Sequence, residues 1–197
     1  MVTPTRISAA RPQNRNMPSF TASNPTVLDG SGAVHTLSEY WSNAEHGLAL
    51  IFVRHFGCQF CREHVVALIK RYPEFVAAGV DVVVVGNGSP QRAQVFSHEM
   101  KTPFPVLTDP SGESYSAFRL TKATKGSVFD PHVIFGGIRA AAKGYFPKRA
   151  QGDALQLPGQ FLIDPNGVVW HADRPKSMAD IPSPDALLAV ARAIWST

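Results

Sequence analysis

The sequence predicts an α/β fold built on a mixed sheet, and three features support that prediction. The β-branched run "VDVVVVG", Val80 to Gly86, has the pattern of a strand buried on both faces, as central parallel strands are. Apolar runs of strand length alternate with stretches of helical periodicity through the middle of the chain, the order expected of β-α-β connections. Near the C-terminus, "GQFLIDPNGVVWHA" sets a "DPNG" turn between two apolar runs, which reads as a closing antiparallel hairpin.

Taken in order, residues 1–18 are expected to form a disordered arm. They are basic and acid-free, with Arg6, Arg11 and Arg15, and Pro4, Pro12 and Pro18 break any helix. One domain, residues 19–197, should follow. It opens with a hairpin lead-in around "DGSG". "GLALIFVRHF", Gly47 to Phe56, then reads as a buried strand. Phe60, Val65, Leu68, Ile69, Tyr72 and Val76 recur at helical spacing, with a kink expected at Pro73 and a stop at Gly79. After Val80 to Gly86, "NGSP" opens a second helix, "QRAQVFSHEMK", and "FPVLTDPSGESYSAFRL" reads as strand, turn and helix. Residues 121–156 are irregular, hold one short helix, and read as an insertion before the last hairpin. Ser183 is placed as an N-cap ahead of Pro184, with apolar residues at 187, 188, 190, 191, 194 and 195 forming the inward face of a final helix.

Composition narrows the function classes. The chain has 197 residues, 44% hydrophobic and 17% charged, enough for one sizeable core. Its net charge of +4 is spread without an aromatic-interleaved basic stripe, so no nucleic-acid partner is expected. No run approaches the ~18 to 20 apolar residues that span a bilayer, and the first twenty residues lack the apolar core of a secretory signal. The expectation is a soluble, cytoplasmic protein with no membrane partner.

The chemistry concentrates in "FVRHFGCQFCREHVV", residues 52–66, which holds both cysteines of the chain, Cys58 and Cys61. At the junction of a strand and a helix, unpaired N–H groups and the positive end of the helix dipole favour a thiolate. Cys58 would sit there as the nucleophile. Cys61, one helical turn deeper, could attack a mixed disulfide formed at Cys58 and release it. A structural zinc site needs four ligands and no second cysteine pair exists; His55 and His64 would make a strained set, so no metal is expected. Arg62 stands where covalent haem attachment needs a histidine. Two inert buried thiols are the plain alternative, but their placement before a helix favours redox chemistry.

With those motifs in view, "FVRHFGCQFCREH" and "GDALQLPGQFLIDPNGVVWHADRPKS" resemble the thioredoxin superfamily. More narrowly they resemble its peroxiredoxin-like branch, related to alkyl hydroperoxide reductase C and thiol-specific antioxidant proteins and including prostamide/prostaglandin F synthase. The resemblance spans Phe20 to the C-terminus. It implies a thioredoxin-like fold, a central mixed sheet flanked by helices, and a thiol-disulfide oxidoreductase without a bound cofactor. An external thiol reductant, thioredoxin or glutathione, would recycle it, and a homodimer is possible in such a family. It also implies that Pro158, in "LPGQFLID", is a cis-proline facing the cysteines and binding substrate.

The departures are informative. The peroxide-holding pattern Pro-X-X-X-Thr/Ser-X-X-Cys is absent in both frames: Arg54 and Cys58 hold its positions before Cys61, and Ile51 and His55 hold them before Cys58. The buried acid and the tryptophan that thioredoxin places before its first cysteine are Phe52 and Gly57 here. The first difference counts against strong hydrogen-peroxide turnover and favours a reductase or oxidoreductase role; the second counts against generic protein-disulfide reduction. A (hydro)peroxide or endoperoxide reductase using the same pair is the alternative, and a non-enzymatic redox switch is a third reading.

Arg54, His55, Phe60 and Arg62 complete the candidate substrate-binding set around the dithiol. In strand geometry Arg54 and His55 point to opposite faces, so one of them at most can face the sulfurs. Arg119, Lys122, Lys125, Arg139, Lys143, Lys148 and Arg149 form a basic stretch that could steer an anionic substrate if the insertion folds over the cysteines; otherwise it is a solvated face. His98, His132 and His171 read as structural or exposed.

Overall fold

The computed structural model describes residues 19–124, 126, 131–144, 152–177, 181 and 183–195; the expected N-terminal arm, with Lys125, Lys148 and Arg149, lies outside them. Strands β1 (Phe20–Thr21), β2 (Thr26–Leu28) and β3 (Val34–Thr36) lead to a short helix α1 (Ser38–Trp41). The core motif is β4 (Gly47–Phe52), α2 (Gln59–Ala77), β5 (Val80–Gly86), α3 (Pro90–Met100) and β6 (Val106–Thr108). Helices α4 (Glu113–Ala117) and α5 (Pro131–Ala142) precede the hairpin β7 (Gly159–Ile163) and β8 (Val168–Asp173), and α6 (Pro184–Trp195) ends the described chain.

Among the described residues these strands form one mixed sheet in the order β1-β8-β7-β4-β5-β6-β2-β3. The β-branched run does become a central strand: β5 pairs in parallel with β4 and with β6, and six of its seven residues are buried. The hairpin expectation holds as well, since β7 pairs antiparallel with both β4 and β8. So does the lead-in, where β2 and β3 pair across the Asp29 turn.

Strand alternation sorts the core into two faces. Ile51, Val53, Val82, Val84 and Leu162 face one way, against Val65 and Leu68 of α2, Phe96 of α3 and Leu187 and Ile194 of α6. Leu50, Phe52, Val83, Val85, Phe161 and Ile163 face the other, against Trp41, Tyr115 and Phe118. Phe52 lies 5.0 Å from Tyr115 and 5.8 Å from Phe161, ring to ring, in edge-on contacts. An acid at position 52 would therefore meet an aromatic core on the face away from α2.

One expectation changes in α2. The helix runs through Pro73 to Ala77, and its inward stripe is Cys61, His64, Val65, Leu68 and Phe75, whereas Val76 is exposed. Periodicity over apolar letters alone missed that His64 shares the buried stripe with Cys61. At the other end of the chain the Ser183 cap is present: its Oγ accepts the Ala186 N–H at 3.2 Å.

Candidate active site

Six residues separate the end of β4 from the start of α2, and a turn closed by Cys58 N–H donating to His55 O at 3.0 Å brings Cys58 to the N-cap. Its extended backbone (φ −72°, ψ 122°) leaves the first-turn N–H groups of α2 open toward the sulfur, and those of Phe60 and Cys61 lower its pKa. Both cysteines are free thiols. Cys58 retains 4% exposure and Cys61 none, so a reagent from solvent can reach only Cys58.

The two sulfurs are held in different ionisation states. A hydrogen bond from Cys61 is the main force lowering Cys58 to about 6; burial opposes it, and the Arg54 charge adds to it. Cys61 is pushed well above the ordinary thiol range, first by its complete burial and then by donating to Cys58. At neutral pH the pair therefore carries one negative charge on Cys58 and one proton on Cys61.

Arg54 is the residue that touches both sulfurs. Its Nη1 donates to Cys58 Sγ at 3.5 Å and its backbone N–H donates to Cys61 Sγ at 3.3 Å. The rest of the guanidinium is fixed by backbone carbonyls: Nε donates to Gln156 O at 3.1 Å, and Nη2 donates to Ala154 O. Arg54 and His55 are both buried, at 7% and 6% exposure. Burial, and then the Arg54 charge, lower His55 to about 4, and its neutral Nδ1 accepts the Gly57 N–H at 3.2 Å. The imidazole thus shapes the turn that carries Cys58, while Arg54 faces the sulfurs.

The carbonyls that hold Arg54 belong to a strap, residues 152–158, that comes out of the insertion. Asn87 Nδ2 donates to Asp153 O at 3.0 Å, and Lys122 pairs with the Asp153 carboxylate at 2.7 Å. Gln156 bridges to Lys122, and Leu157 N–H donates to Thr121 O at 3.1 Å. This antiparallel bridge draws the strap out extended, and no cis peptide occurs among the described residues; the expected cis bond at Pro158 is trans. Pro158 nevertheless borders the dithiol: it lines a crevice of about 10 Å³ with Cys61 and His64.

The other expected residues are placed as follows. Phe60 is buried beneath α5, near Gly137. Arg62 turns away from the sulfurs, pairs with Glu99 at 3.2 Å and stacks over Phe96, lining a groove that also reaches Gly57. The insertion does lie over α2, and its helix α5 pairs Arg139 and Lys143 with Glu63. With Lys122 paired to Asp153 as well, three of the basic residues are engaged within the fold. No group of three or more His, Cys, Asp or Glu arranged to hold a metal occurs among the described residues, and no described helix is long and apolar enough to cross a membrane.

Sequence reasoning missed four contributors. Tyr115 donates its hydroxyl to Val53 O at 2.7 Å, holding the end of β4 from the far face of the sheet. Gln156 and Ala154 act through backbone oxygens, which no side-chain motif reveals. His64 was visible as a letter but was weighed only as a metal ligand.

Comparison with known proteins places this geometry in context. A sequence model of the family described as AhpC/TSA antioxidant enzyme matches residues 67–176, a stretch that begins beyond both cysteines. The chain is 30% identical over 119 residues to "Thioredoxin-like protein AAED1, chloroplastic" of Arabidopsis thaliana, covering 60% of this chain and 47% of that one. It is 28% identical over 159 residues to "Peroxiredoxin-like 2C" of Bos taurus, covering 75% and 69%. The chain thus spans about half the length of its plant relative. Among solved structures, peroxidoxin BcpB of Mycobacterium tuberculosis superposes with a TM-score of 0.67 at 17% identity, over 91% of this chain and 99% of that one. Peroxiredoxin Q of Xanthomonas campestris gives 0.62 at 21%, over 87% and 96%. At such identities these two structures show a shared fold, the thioredoxin-like one.

Proposed function

The chain belongs to the AhpC/TSA antioxidant enzyme family, and from that membership and the geometry of its dithiol we propose that it is a thiol-disulfide oxidoreductase with Cys58 as nucleophile and Cys61 as resolving cysteine. The observation that supports this most is the split between the two sulfurs. Cys58 is a thiolate with the only solvent access of the pair, and Cys61 is a buried thiol that holds a proton. In the cycle, the Cys58 thiolate attacks one sulfur of a substrate disulfide and expels the other as thiolate. Cys61 then attacks Cys58 Sγ, forms the Cys58–Cys61 disulfide and releases the second substrate thiol. An external thiol of the thioredoxin or glutathione type returns the pair to the dithiol in the cytoplasm, whether the protein works as a monomer or a homodimer.

Arg54 adds its charge to the Cys61 hydrogen bond that keeps Cys58 ionised, and it stands beside the point of attack. Pro158, Phe60, His55 and Arg62 border or support the site, with Arg62 reaching it only through the groove beside Gly57. A hydroperoxide is the second reading, because the matched family is described as antioxidant enzymes and the Arg54 fork beside Cys58 could donate to a peroxide oxygen. Cys58 would then become a sulfenic acid and Cys61 would close the same disulfide, releasing water.

Intact mass and thiol counting distinguish the outcomes. Wild type treated with one equivalent of a disulfide or of hydrogen peroxide should lose two hydrogens, about 2 Da, and regain them with thioredoxin or glutathione. Cys58→Ser should abolish the change, and Cys61→Ser should trap an adduct on Cys58. Two thiols that stay reduced under both oxidants would remove the catalytic reading.

A further inference from the structure

Closing the disulfide needs a proton acceptor that the resting site does not supply. In the reduced enzyme the Cys61 proton is shared with the Cys58 thiolate. Once Cys58 is bound in a mixed disulfide or oxidised to sulfenic acid, that anion is gone, yet Cys61 must still lose its proton to attack. The ionisable groups around Cys61 are few. Arg54 is a donor only. Tyr115 points its hydroxyl proton at Val53 O, and its pKa is pushed well above the ordinary phenol value, by burial first and then by Cys61. His55 spends its free nitrogen on the Gly57 N–H.

His64 remains. It lies three residues after Cys61 on the inward stripe of α2, is 7% exposed, and lines the same crevice as Cys61, Pro158, Gly159 and Gln160. Its Nε2 is buried without a hydrogen-bond partner among the described residues. A second buried acceptor without a partner, Gln160 Oε1, belongs to the same crevice. The Gln160 amide is fixed from behind. Nε2 donates to Asp173 Oδ2 at 2.8 Å, and the same oxygen pairs with His171 Nε2 at 2.8 Å. Asp173 thereby determines which end of the amide is left as the acceptor. The crevice, about 10 Å³, is the size of a single water, and two polar partners are what such a water requires.

We propose that His64 and Gln160 hold one water beside Cys61 and that His64 Nε2, through it, takes the Cys61 proton as the disulfide closes. The inference rests on the dithiol cycle proposed above. Its step balances: the Cys61 S–H bond breaks, the proton passes by way of the water to His64 Nε2, and the sulfur pair forms the bond to Cys58 Sγ. The bond from Cys58 to its substrate sulfur breaks and that sulfur leaves as thiolate; from a sulfenic acid, hydroxide leaves and takes the proton as water. Burial keeps His64 neutral, with its pKa lowered to about 4, so in the tautomer protonated at Nδ1 its Nε2 is an acceptor at physiological pH; so weak a base holds the proton only in passing before solvent takes it. Gln160, and Asp173 behind it, are positioning residues.

The chromogenic aromatic disulfide DTNB separates the two steps, because attack by Cys58 releases one coloured thiolate and closure by Cys61 releases a second. In stopped flow at pH 7, His64→Phe should leave the first phase within about twofold of wild type and slow the second at least about tenfold. The deficit should shrink as the pH is raised and hydroxide removes the proton directly. Gln160→Met should slow the second phase about threefold with the same pH trend, and it keeps the test open if His64→Phe folds poorly. A second phase as fast as wild type in both variants, or a deficit that does not change with pH, would overturn the proposal. A wild type that releases one thiolate or none would instead overturn the dithiol cycle itself, and this inference with it.

Discussion

Replacing Arg54 by methionine keeps an unbranched apolar stem while removing the charge and the donor that meet Cys58 Sγ. The Cys61 hydrogen bond and the α2 N–H groups would remain, so Cys58 should rise from about 6 part of the way toward the ordinary thiol value. At pH 7 a rise of about two units cuts the thiolate fraction, and alkylation by iodoacetamide, roughly tenfold. The titration curve of thiolate ultraviolet absorbance checks this, and an unshifted curve would leave Cys61 and the helix end as the whole cause. Arg54→Lys should fall between the two, because a lysine keeps the charge but cannot reach Cys58, Gln156 O and Ala154 O with one rigid fork. Little of this was legible as letters. Arg54 and His55 look alike beside a dithiol, and the strand alternation that allowed only one to face the sulfurs could not choose between them.

The strap is the element that fixes Arg54, and Gly152 is the residue by which it enters the fold. Its φ is +87°, and a Cβ there would collide with Asn87 O. Gly152→Ala should therefore be unfavourable twice over, in backbone conformation and in contact, costing about 2 kcal/mol or more. Because the strap presents Ala154 O and Gln156 O, the same change should raise the Cys58 pKa; a loss of stability with the pKa unmoved would show that Arg54 does not depend on the strap. Tyr115→Phe tests the other side of the sheet. The hydroxyl, shared between Val53 O and Val85 O at 2.7 and 3.2 Å, ties α4 to the ends of β4 and β5. Its removal should lower the urea midpoint by an amount equivalent to about 1 to 2 kcal/mol while leaving the DTNB phases near wild type. The strap was unreadable in advance because it works through carbonyl oxygens, which the side chains of "GDALQLPG" do not reveal. The strap's course is held by pairing across to Thr121, a contact 36 residues away.

For the molecule as a whole, the two buried imidazoles set an acid limit. His55 and His64 are neutral in the folded chain down to about pH 4, whereas in the unfolded chain each gains a proton below about 6.5. Between those values the unfolded state binds more protons, so stability is full above pH 6.5 and falls as the pH drops toward 4. Each histidine can contribute up to roughly 3 kcal/mol to that loss. Urea midpoints from pH 7.5 to 4.5 should therefore decline less steeply in His64→Phe than in wild type, and parallel curves would mean that His64 is not held neutral by the fold. By itself the sequence determined the α/β class, the mixed sheet with a central β5, both hairpins, the capped last helix, and the strand-to-helix junction that carries the dithiol. Those features rest on local periodicity, turn chemistry and capping, which act between near neighbours in the chain. Only the tertiary structure decided which flanking residue meets the sulfurs, that Pro158 is trans, that Arg62 pairs with Glu99, and that His64 and Gln160 share a crevice with Cys61. Each of these depends on elements distant in sequence packing against one another, and burial, which sets the ionisation of Cys61 and His64, exists only once they have done so.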